Sequence, residues 1–358
     1  MSNVIQLNVP SPRQAEKDRL SALIASFASH RRFGDDVFWL KENAELLNIL
    51  ECTGADLAPD ALDQHVGFYD QVEKRLGFFP QYYRFLLSIC LDLEDLGMAG
   101  TKGQALCNWI AREGLAQAEL SDLQRAEARR LLARRGFDPL PDDQGLTERL
   151  HAFVDRSETF AMPNKKASYE LTHIVFYLSE YGRTDPHLSD AALTSLTFAG
   201  LLAYLDQNSD LLAEICVALR YAGQTPPEMW EDWLERETHR FTVETGSHVS
   251  AQDDYHDYFV CNWLMSAAGR DSFVKPAEND RMAFFRATPS SAPLRQMSQF
   301  MFDMADRRSD DWTRMRPEIE GALTGEAYEI LQEAQDSTEQ FDAFFAGFAR
   351  TGLRGVTL

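Results

Sequence analysis

The sequence is poor in cysteine, and its few cysteines lie far apart. They are odd in number and include no C-x-x-C pair: Cys52, Cys90, Cys107, Cys216 and Cys261. Each lies among apolar residues, as Cys90 does between Ile89 and Leu91. Scattered apolar thiols are typical of a reduced cytosolic protein, and they argue against a disulfide framework or a zinc knuckle.

Positive charge is also scarce. The chain has 35 Lys and Arg against 56 Asp and Glu, which gives a formal net charge of −21. Affinity for phosphate backbones and for anionic membrane surfaces comes from Lys and Arg, so we expect neither nucleic acid nor membrane as a partner. One basic run occurs, and it is typical of a solvated helix face: Arg125, Arg129, Arg130, Arg134 and Arg135.

The chain lacks long apolar runs as well. None reaches the ~20 residues needed to span a bilayer. The first 19 residues show no apolar segment of a secretory signal. We therefore expect a cytoplasmic protein. Its hydrophobic content of 44%, with 23 Phe, is ample for a buried core.

No stretch alternates apolar and polar residues over the length of a strand, so the chain is predicted to be all-α. Residues 242–250 are expected to form a polar loop, and residues 275–293 an irregular segment. The predicted helices end at glycines spaced by about 43 residues, the length of a helical hairpin repeat. These glycines are Gly54, Gly97, Gly136, Gly182, Gly223 and Gly269.

Stacked helical hairpins form either a closed α/α toroid or an open α-solenoid. After a flexible N-terminus, 1–10, we expect a single helical-repeat domain over 11–350. Within it, 11–79 is a weaker repeat, 80–270 contains the core repeats, and 294–350 contains the C-terminal helices.

The glycine-ended helices are the more apolar class, so they suit the inner wall of a toroid, and their polar residues are candidates for a site. His173 shares a helix face with Tyr169, Tyr177 and Glu180 by its spacing. The helix at 83–97 is the counterpart, in an earlier repeat, of the helix that carries His173, and it has no histidine. The packing of the repeat therefore does not require His173.

The next two glycine-ended helices carry further polar residues. Asp210 and Glu214 are spaced i, i+4 on one of them, and His256 lies on the other with Trp263 seven residues later. Two imidazoles and several carboxylates on one wall can bind a divalent metal or perform acid–base chemistry. The candidate catalytic or metal-ligating residues are therefore His173, Asp210, Glu214 and His256. The aromatic side chains of Tyr169, Tyr177 and Trp263, with Glu180, would shape the pocket.

Each candidate also has a purely structural interpretation. His173 and His256 are compatible with packed core histidines, and Asp210 with an acidic residue that stabilises a first helical turn. Glu214 could pair with Arg220 or Arg84. The spacings match no H-E-x-x-H, glycine-rich phosphate loop or G-x-S-x-G motif. The remaining histidines are interpreted as loop or outer-helix residues: His30, His65, His151, His187, His239 and His248.

Three segments carry a resemblance to a family. They are Leu171–Tyr177 with Glu180–Gly182, Ser209–Ile215 and Asp254–Val260. Over about 165–270 the chain resembles bacterial helical-repeat proteins of unknown function that carry a Thr-His helix, an Asp-Leu-x-x-Glu-Leu-like helix and a Tyr-His helix in this order. The wider likeness is to α/α-toroid enzymes, among them glycosidases, epimerases, terpene-type cyclases, lanthionine cyclases and prenyltransferases. Their specific metal and acid motifs are absent from this sequence.

Two hypotheses on function follow. In the first, the protein is an enzyme that modifies a small molecule or peptide in a central cavity, with or without a divalent metal. In the second, it is a non-catalytic acidic α-solenoid that binds a protein partner.

Overall fold

The computed structural model describes residues 11–34, 36–287 and 292–351. Within these ranges the protein is mostly helical, with seventeen α-helices and one two-stranded sheet. The helical fold class is therefore confirmed, whereas the toroid, the solenoid and the repeat stay predictions. The flexible segment predicted at 1–10 lies outside the described residues. None of the described helices is long and apolar enough to cross a membrane.

The chain divides into two compact units. The first comprises Met1–Arg112, Thr242–Tyr255 and Gly269–Phe285, and the second comprises Glu113–Phe241, His256–Ala268 and Arg286–Leu358. The single domain over 11–350 stays a prediction, as do its sub-regions 11–79, 80–270 and 294–350.

The described secondary structure of the first unit consists of α1 (Pro12–Ala25), α2 (Val37–Cys52), α3 (Val66–Phe78), α4 (Tyr83–Asp95), α5 (Lys102–Arg112), β1 (Thr242–Thr245) and β2 (Met282–Phe285). A π-helical turn, Ser26–His30, extends α1. The second unit contains α6 (Asp122–Ala133), α7 (Leu146–Val154), α8 (Ser157–Phe160), α9 (Lys165–Leu178), α10 (Asp190–Leu205), α11 (Ser209–Tyr221), α12 (Glu228–Arg240), α13 (Tyr255–Ala267, apart from its first residue), α14 (Pro293–Met304), α15 (Trp312–Ala322), α16 (Gly325–Asp336) and α17 (Phe341–Phe348).

Several helices begin and end at residues of the types that favour helix boundaries. The hydroxyl of Ser11 accepts a hydrogen bond from the backbone N–H of Gln14 at 3.2 Å, with Pro12 in the first helical position. Ser121 caps α6 in the same way. All six glycines named above have a φ between 67° and 109°, the left-handed conformation that ends a helix.

The prediction that the chain contains no strand is wrong. β1 and β2 pair antiparallel, with Thr242 opposite Phe285 and Thr245 opposite Met282. Each strand has four residues, which is too short for a clear alternation of apolar and polar side chains. The strands are about 40 residues apart in the chain, so no hairpin turn signals their pairing. They fall inside the predicted polar loop, 242–250, and irregular segment, 275–293.

The sequence predicts helices over about 59–76 and 326–349 and a helix that ends at Gly182, and the structure differs from each of these three predictions. α3 begins at Val66, because the residues from 59 onward form turns. The last predicted helix is divided into α16 and α17, and the hydroxyl of Thr338 accepts a hydrogen bond from the backbone of Gln340 in the break. α9 ends at Leu178, since the next residues form a left-handed turn that Gly182 completes.

A buried arginine organises the first unit. The Arg31 side chain is 0% exposed. It donates hydrogen bonds to Glu42 at 3.1 Å and to both oxygens of Asp253 at 2.8 Å. It also donates to the backbone carbonyl of Met282 and lies against the Phe27 ring. A single guanidinium thereby links the π-helical turn to α2, to β2 and to the segment before α13.

The second unit is built around α9, α10 and α11. α11 packs against α9, α10 and α12, while α9 also packs against α6. α10 contacts α8 and α16. Eleven consecutive residues of α11, Ser209–Leu219, are buried. α11 is therefore the helix on which polar side chains most need partners.

Candidate functional site

α11 carries two acidic side chains although it lies in the interior of the second unit. The side chain of Asn208 caps α11 by accepting a hydrogen bond from the backbone N–H of Leu211 at 3.2 Å. Asp210 is thus in the first turn, where the helix dipole favours negative charge. Glu214, one turn later, exposes 3% of its side chain. Both predicted carboxylates need partners from the neighbouring helices.

Asp210 connects α11 to two other helices. The hydroxyl of Tyr169 on α9 donates a hydrogen bond to Oδ2 of Asp210 at 2.5 Å. Nδ1 of His256 on α13 lies 2.7 Å from Oδ1 of Asp210. The side chain of His256 is 32% exposed and that of Asp210 is 13% exposed, so solvent reaches this pair from the histidine side. The structure therefore brings together three residues that the sequence singled out.

Glu214 connects α11 to α9 by a second pair of contacts. The hydroxyl of Thr172 donates a hydrogen bond to Oε2 of Glu214 at 2.6 Å. Oε1 of Glu214 lies 3.8 Å from Nε2 of His173. The histidine is 41% exposed, so the buried carboxylate supports an accessible imidazole.

The surroundings of His173 favour its charged form. Burial among protein atoms lowers the pKa of His173, but the nearby carboxylates of Glu214 and Glu127 together raise it more. The resulting pKa is above the ordinary 6.5. The charge of His256 opposes this rise, so the two imidazoles are near enough to influence each other. The side chain of His173 thus lies among charged groups and is still 41% exposed to solvent.

Several carboxylates around Tyr169 influence the pKa of its hydroxyl. Burial raises the pKa of its hydroxyl, and the charge of Asp210 raises it further. Glu214 and Asp257 act in the same direction. The two histidine–carboxylate pairs thus belong to one electrostatic cluster.

Asp257 is a member of this cluster that the sequence interpretation missed. One donor atom each from Asp210, His256 and Asp257 lie within 4.8 Å of one another, and all three residues are partly accessible. The hydroxyl of Ser209 lies 3.4 Å from Oδ2 of Asp257. Two carboxylates and an imidazole are suitable ligands for a divalent metal. The signal was the sequence Tyr-His-Asp-Tyr itself, in which Asp257 directly follows His256.

Arg286 supplies positive charge at the edge of the cluster. Its guanidinium lies 3.7 Å from Asp257 and 2.9 Å from Glu237 on α12. The Arg286 side chain is 9% exposed. No spacing in the sequence connects Arg286 to Asp257, because it lies beyond the end of α13 and outside any helix.

The predicted pocket residues lie at different depths. Tyr177 is half-buried, with its ring centre 6.0 Å from that of His173. Trp263 is 4% exposed and packs on Phe176 at 4.7 Å. The indole N–H of Trp263 donates to the hydroxyl of Tyr221 at 3.0 Å. Tyr177 therefore lies beside the accessible imidazole of His173, whereas Trp263 belongs to the hydrophobic core and packs against α9.

Glu180 lies at the other end of α9 and pairs with Arg130 on α6. Oε2 of Glu180 is 3.3 Å from Nε of Arg130, whose side chain is 4% exposed. The guanidinium also lies over the ring of Tyr181 at 4.3 Å. Burial raises the pKa of Glu180 by more than Arg130 lowers it. Glu180 thus belongs to a separate ion pair, just past the end of α9 and away from His173.

Two surface recesses lie away from the histidine–carboxylate pairs. One, of about 590 Å³, is lined by residues of 55–66 and 96–99 in the first unit. The other, of about 470 Å³, is lined by residues of 227–236 and 333–337 in the second unit. Neither contains a predicted site residue. The candidate site is consequently defined by its donor groups and not by the size of a recess.

These observations define a class: a mostly helical protein in which three helices, α9, α11 and α13, assemble two histidine–carboxylate pairs. The chain belongs to the family described as a domain of unknown function, DUF6902, whose model matches residues 1–351. No curated protein and no solved structure matches the sequence.

Proposed function

We propose that the protein is an enzyme that modifies a small molecule or a peptide at the His173–Glu214 and Asp210–His256 pairs. One observation carries this proposal: two imidazoles on neighbouring helices are each backed by a carboxylate and each open to solvent. A histidine that only packs in the core would have a buried ring, whereas His173 is accessible. A histidine that only lies on the surface would not be paired with a carboxylate that is 3% exposed, as Glu214 is.

His173 is the proton carrier in this proposal. Histidine is a common proton carrier in enzymes, and Glu214 favours the charged form of His173 by raising its pKa above the ordinary 6.5. The hydrogen bond from Thr172 fixes Glu214, so the carboxylate keeps its place behind the ring. Substrate would approach the exposed ring of His173, beside Tyr177.

The Asp210–His256 pair supplies the second polar group of the site. Asp210 is held by Tyr169, so its distance to His256 is set by α9 as well as by α11. A closed α/α toroid in the cytoplasm, with α9, α11 and α13 on its inner wall, is the architecture that we propose around this site. The contacts of α9 with α6 and α11, all glycine-ended helices, support that arrangement.

A second candidate function rests on exposed aromatic side chains in the first unit. Phe33 is 81% exposed and Phe78 is 76% exposed, and both belong to a strongly acidic chain. Large exposed rings are typical of surfaces that bind proteins. The alternative proposal is therefore an acidic scaffold that recruits a protein partner through these exposed rings.

Conversion of metabolites tests the enzyme proposal without knowledge of the substrate. The full chain is incubated with a small-molecule extract and with a peptide library, and the products are followed by mass spectrometry. We expect at least one conversion that His173→Gln abolishes. His187→Gln is the matched control, because His187 also lies near a carboxylate, Asp185 at 3.4 Å, but is 83% exposed. Conversions that survive His173→Gln, or their complete absence, contradict the proposal.

A further inference from the structure

We propose that Asp210, His256 and Asp257 bind one divalent transition-metal ion. This inference deepens the proposed function, on which the catalytic use of the ion rests, although binding itself does not depend on it. The three residues each offer a donor atom, and these atoms lie within 4.8 Å of one another. Ligand atoms about 2.1 Å from a shared ion are up to about 4.2 Å apart, so small side-chain rotations complete the site.

The ligands are placed by the starts of two helices. Asp210 lies in the first turn of α11, and His256 and Asp257 lie in the first turn of α13. The backbone of a helix start is rigid once its cap is formed, as it is at Asn208. The metal site is therefore built on ordered elements and not on a mobile loop.

Neighbouring hydroxyls contact two of the proposed ligands and position them. Tyr169 donates to Oδ2 of Asp210, which leaves Oδ1 directed at His256. Ser209 lies 3.4 Å from Asp257. Hydrogen bonds of this kind orient metal ligands, and their loss typically weakens metal affinity 10- to 100-fold. This gives Tyr169 a role that a packing residue would not have.

The charge balance of the cluster also favours a cation. Two carboxylates meet here, those of Asp210 and Asp257, and the buried carboxylate of Glu214 lies one helical turn from Asp210 on α11. Arg286 is 3.7 Å from Asp257 but nearer to Glu237, so two carboxylates share its charge. Placing several carboxylates in a partly buried site is unfavourable without compensating positive charge. A divalent ion supplies that charge at the point where the donor atoms converge.

The donor set selects the kind of ion. An imidazole nitrogen with two carboxylates suits Zn²⁺, Mn²⁺ or Co²⁺ better than Ca²⁺ or Mg²⁺, which prefer oxygen alone. Three protein ligands leave coordination positions for water or substrate, as in catalytic and not in structural sites. His173 belongs to the same electrostatic cluster and is accessible, so a proton carrier is present beside the ion.

Metal titration of the tag-free, chelator-treated full chain tests the inference. Zn²⁺ and Mn²⁺ are titrated by calorimetry, and Co²⁺ by its visible absorption, which reports ligand number. We expect one ion per chain, at least tenfold weaker binding in Asp257→Asn and in Asp210→Asn, and about tenfold weaker binding in Tyr169→Phe. Asp185→Asn is the matched control, because Asp185 also lies beside a histidine, His187, on the surface, and we expect no change.

Other outcomes overturn the inference. Less than one tenth of an equivalent bound to the wild type, or unchanged affinity in Asp257→Asn with intact circular dichroism, rejects the site. The result also separates the two proposals. Metal binding without any conversion that requires His173 contradicts the enzyme alone, whereas such conversion by a wild-type chain that binds none of the added metals contradicts the metal site alone.

Discussion

Nε2 of His173 lies 3.8 Å from Oε1 of Glu214, and the two side chains differ sharply in exposure, 41% against 3%. The carboxylate is thus a buried counter-charge for an accessible imidazole. Such a pair changes the protonation of the histidine and leaves its ring open to a substrate.

We expect Glu214→Gln to lower the pKa of His173. Glu214 makes the largest contribution that opposes the effect of burial, and glutamine keeps the hydrogen bond from Thr172 while removing the charge. NMR titration of the imidazole protons measures the change. Because the folded-state pKa is raised, the stability that this pair contributes is fully present below pH 6.5 and is lost as the pH rises through the folded-state pKa.

Glu170→Gln is the control for that titration, because Glu170 also lies on α9 but pairs with Lys166, and it should leave the pKa of His173 unchanged. If Glu214→Gln leaves the pKa of His173 unchanged too, the Glu214 contact does not govern the charge of His173, and the proton-carrier role fails with it.

His65 should make the protein less stable in mild acid. The sequence interpretation placed it in a loop or outer helix, but it is completely buried, with Nε2 2.8 Å from Oδ1 of Asn43. Burial lowers the pKa of His65 to about 4. Between pH 6.5 and pH 4 the unfolded chain binds a proton that the folded chain does not. Proton uptake by His65 in the unfolded chain therefore lowers the free energy of unfolding by about 3 kcal/mol as the pH falls across this range.

Urea unfolding at several pH values measures this loss. We expect His65→Gln to be less sensitive to pH between 6.5 and 4, whatever its stability at pH 7, and His187→Gln to follow the wild type. Equal slopes for the wild type and His65→Gln would show that His65 is protonated without cost.

Replacing Arg31 should destabilise the first unit strongly. Arg31→Met leaves the carboxylate of Asp253 buried without its counter-charge, while Glu42 keeps only its contact with Arg32. Breaking a buried ion pair in this way typically costs about 3–5 kcal/mol. Chemical denaturation measures the loss. Arg13→Met is the matched control, because Arg13 pairs with Asp56 on the surface, and we expect little or no change there. Similar effects of the two substitutions would contradict the central role of Arg31.

Gly182→Ala should destabilise the second unit more than Gly223→Ala does. Both glycines have a positive φ, 84° and 73°, which costs an alanine about 1 kcal/mol. At Gly182 the added Cβ would also lie 2.6 Å from the Tyr221 ring, whereas at Gly223 nothing lies within 4 Å. We expect the steric overlap at Gly182 to cost about 1–3 kcal/mol more.

Tryptophan fluorescence supplies a second measurement for Gly182→Ala. Tyr221 accepts the hydrogen bond of the Trp263 indole, so displacement of Tyr221 should change the emission of Trp263. Gly223→Ala should leave that emission unchanged. Equal stability losses with identical spectra would show that Tyr221 moves aside freely.

Local features of the fold were predictable because their causes are local. A serine followed by Pro12 starts a helix, and a glycine accepts the left-handed conformation that ends one, whatever the rest of the chain does. β1 and β2 were not predictable, since their pairing depends on segments about 40 residues apart. The left-handed turn after Leu178 was missed because Glu180 and Tyr181 adopt a conformation that the side chains themselves disfavour.

The candidate site was partly predictable for a different reason. Asp210, Glu214 and His256 are polar residues in apolar helices, so each had to meet partners on a neighbouring helix. Asp257 was missed because adjacent residues do not share a helix face, a rule that is weaker in a first turn. The pairing of Arg130 with Glu180 depends on two long side chains from different helices, and no spacing within one helix encodes it.

The contacts of the site share a feature with consequences for folding. Tyr169 and Asp210 are 41 residues apart, Thr172 and Glu214 are 42 apart, Tyr221 and Trp263 are 42 apart, and Asp210 and His256 are 46 apart. Each contact thus closes a chain loop of similar, moderate length, and loop-closure entropy rises only slowly with length. No contact in this set joins the two ends of the chain. The cluster can therefore form by successive docking of neighbouring helices, before distant parts of the polypeptide meet and whether or not the whole chain closes on itself.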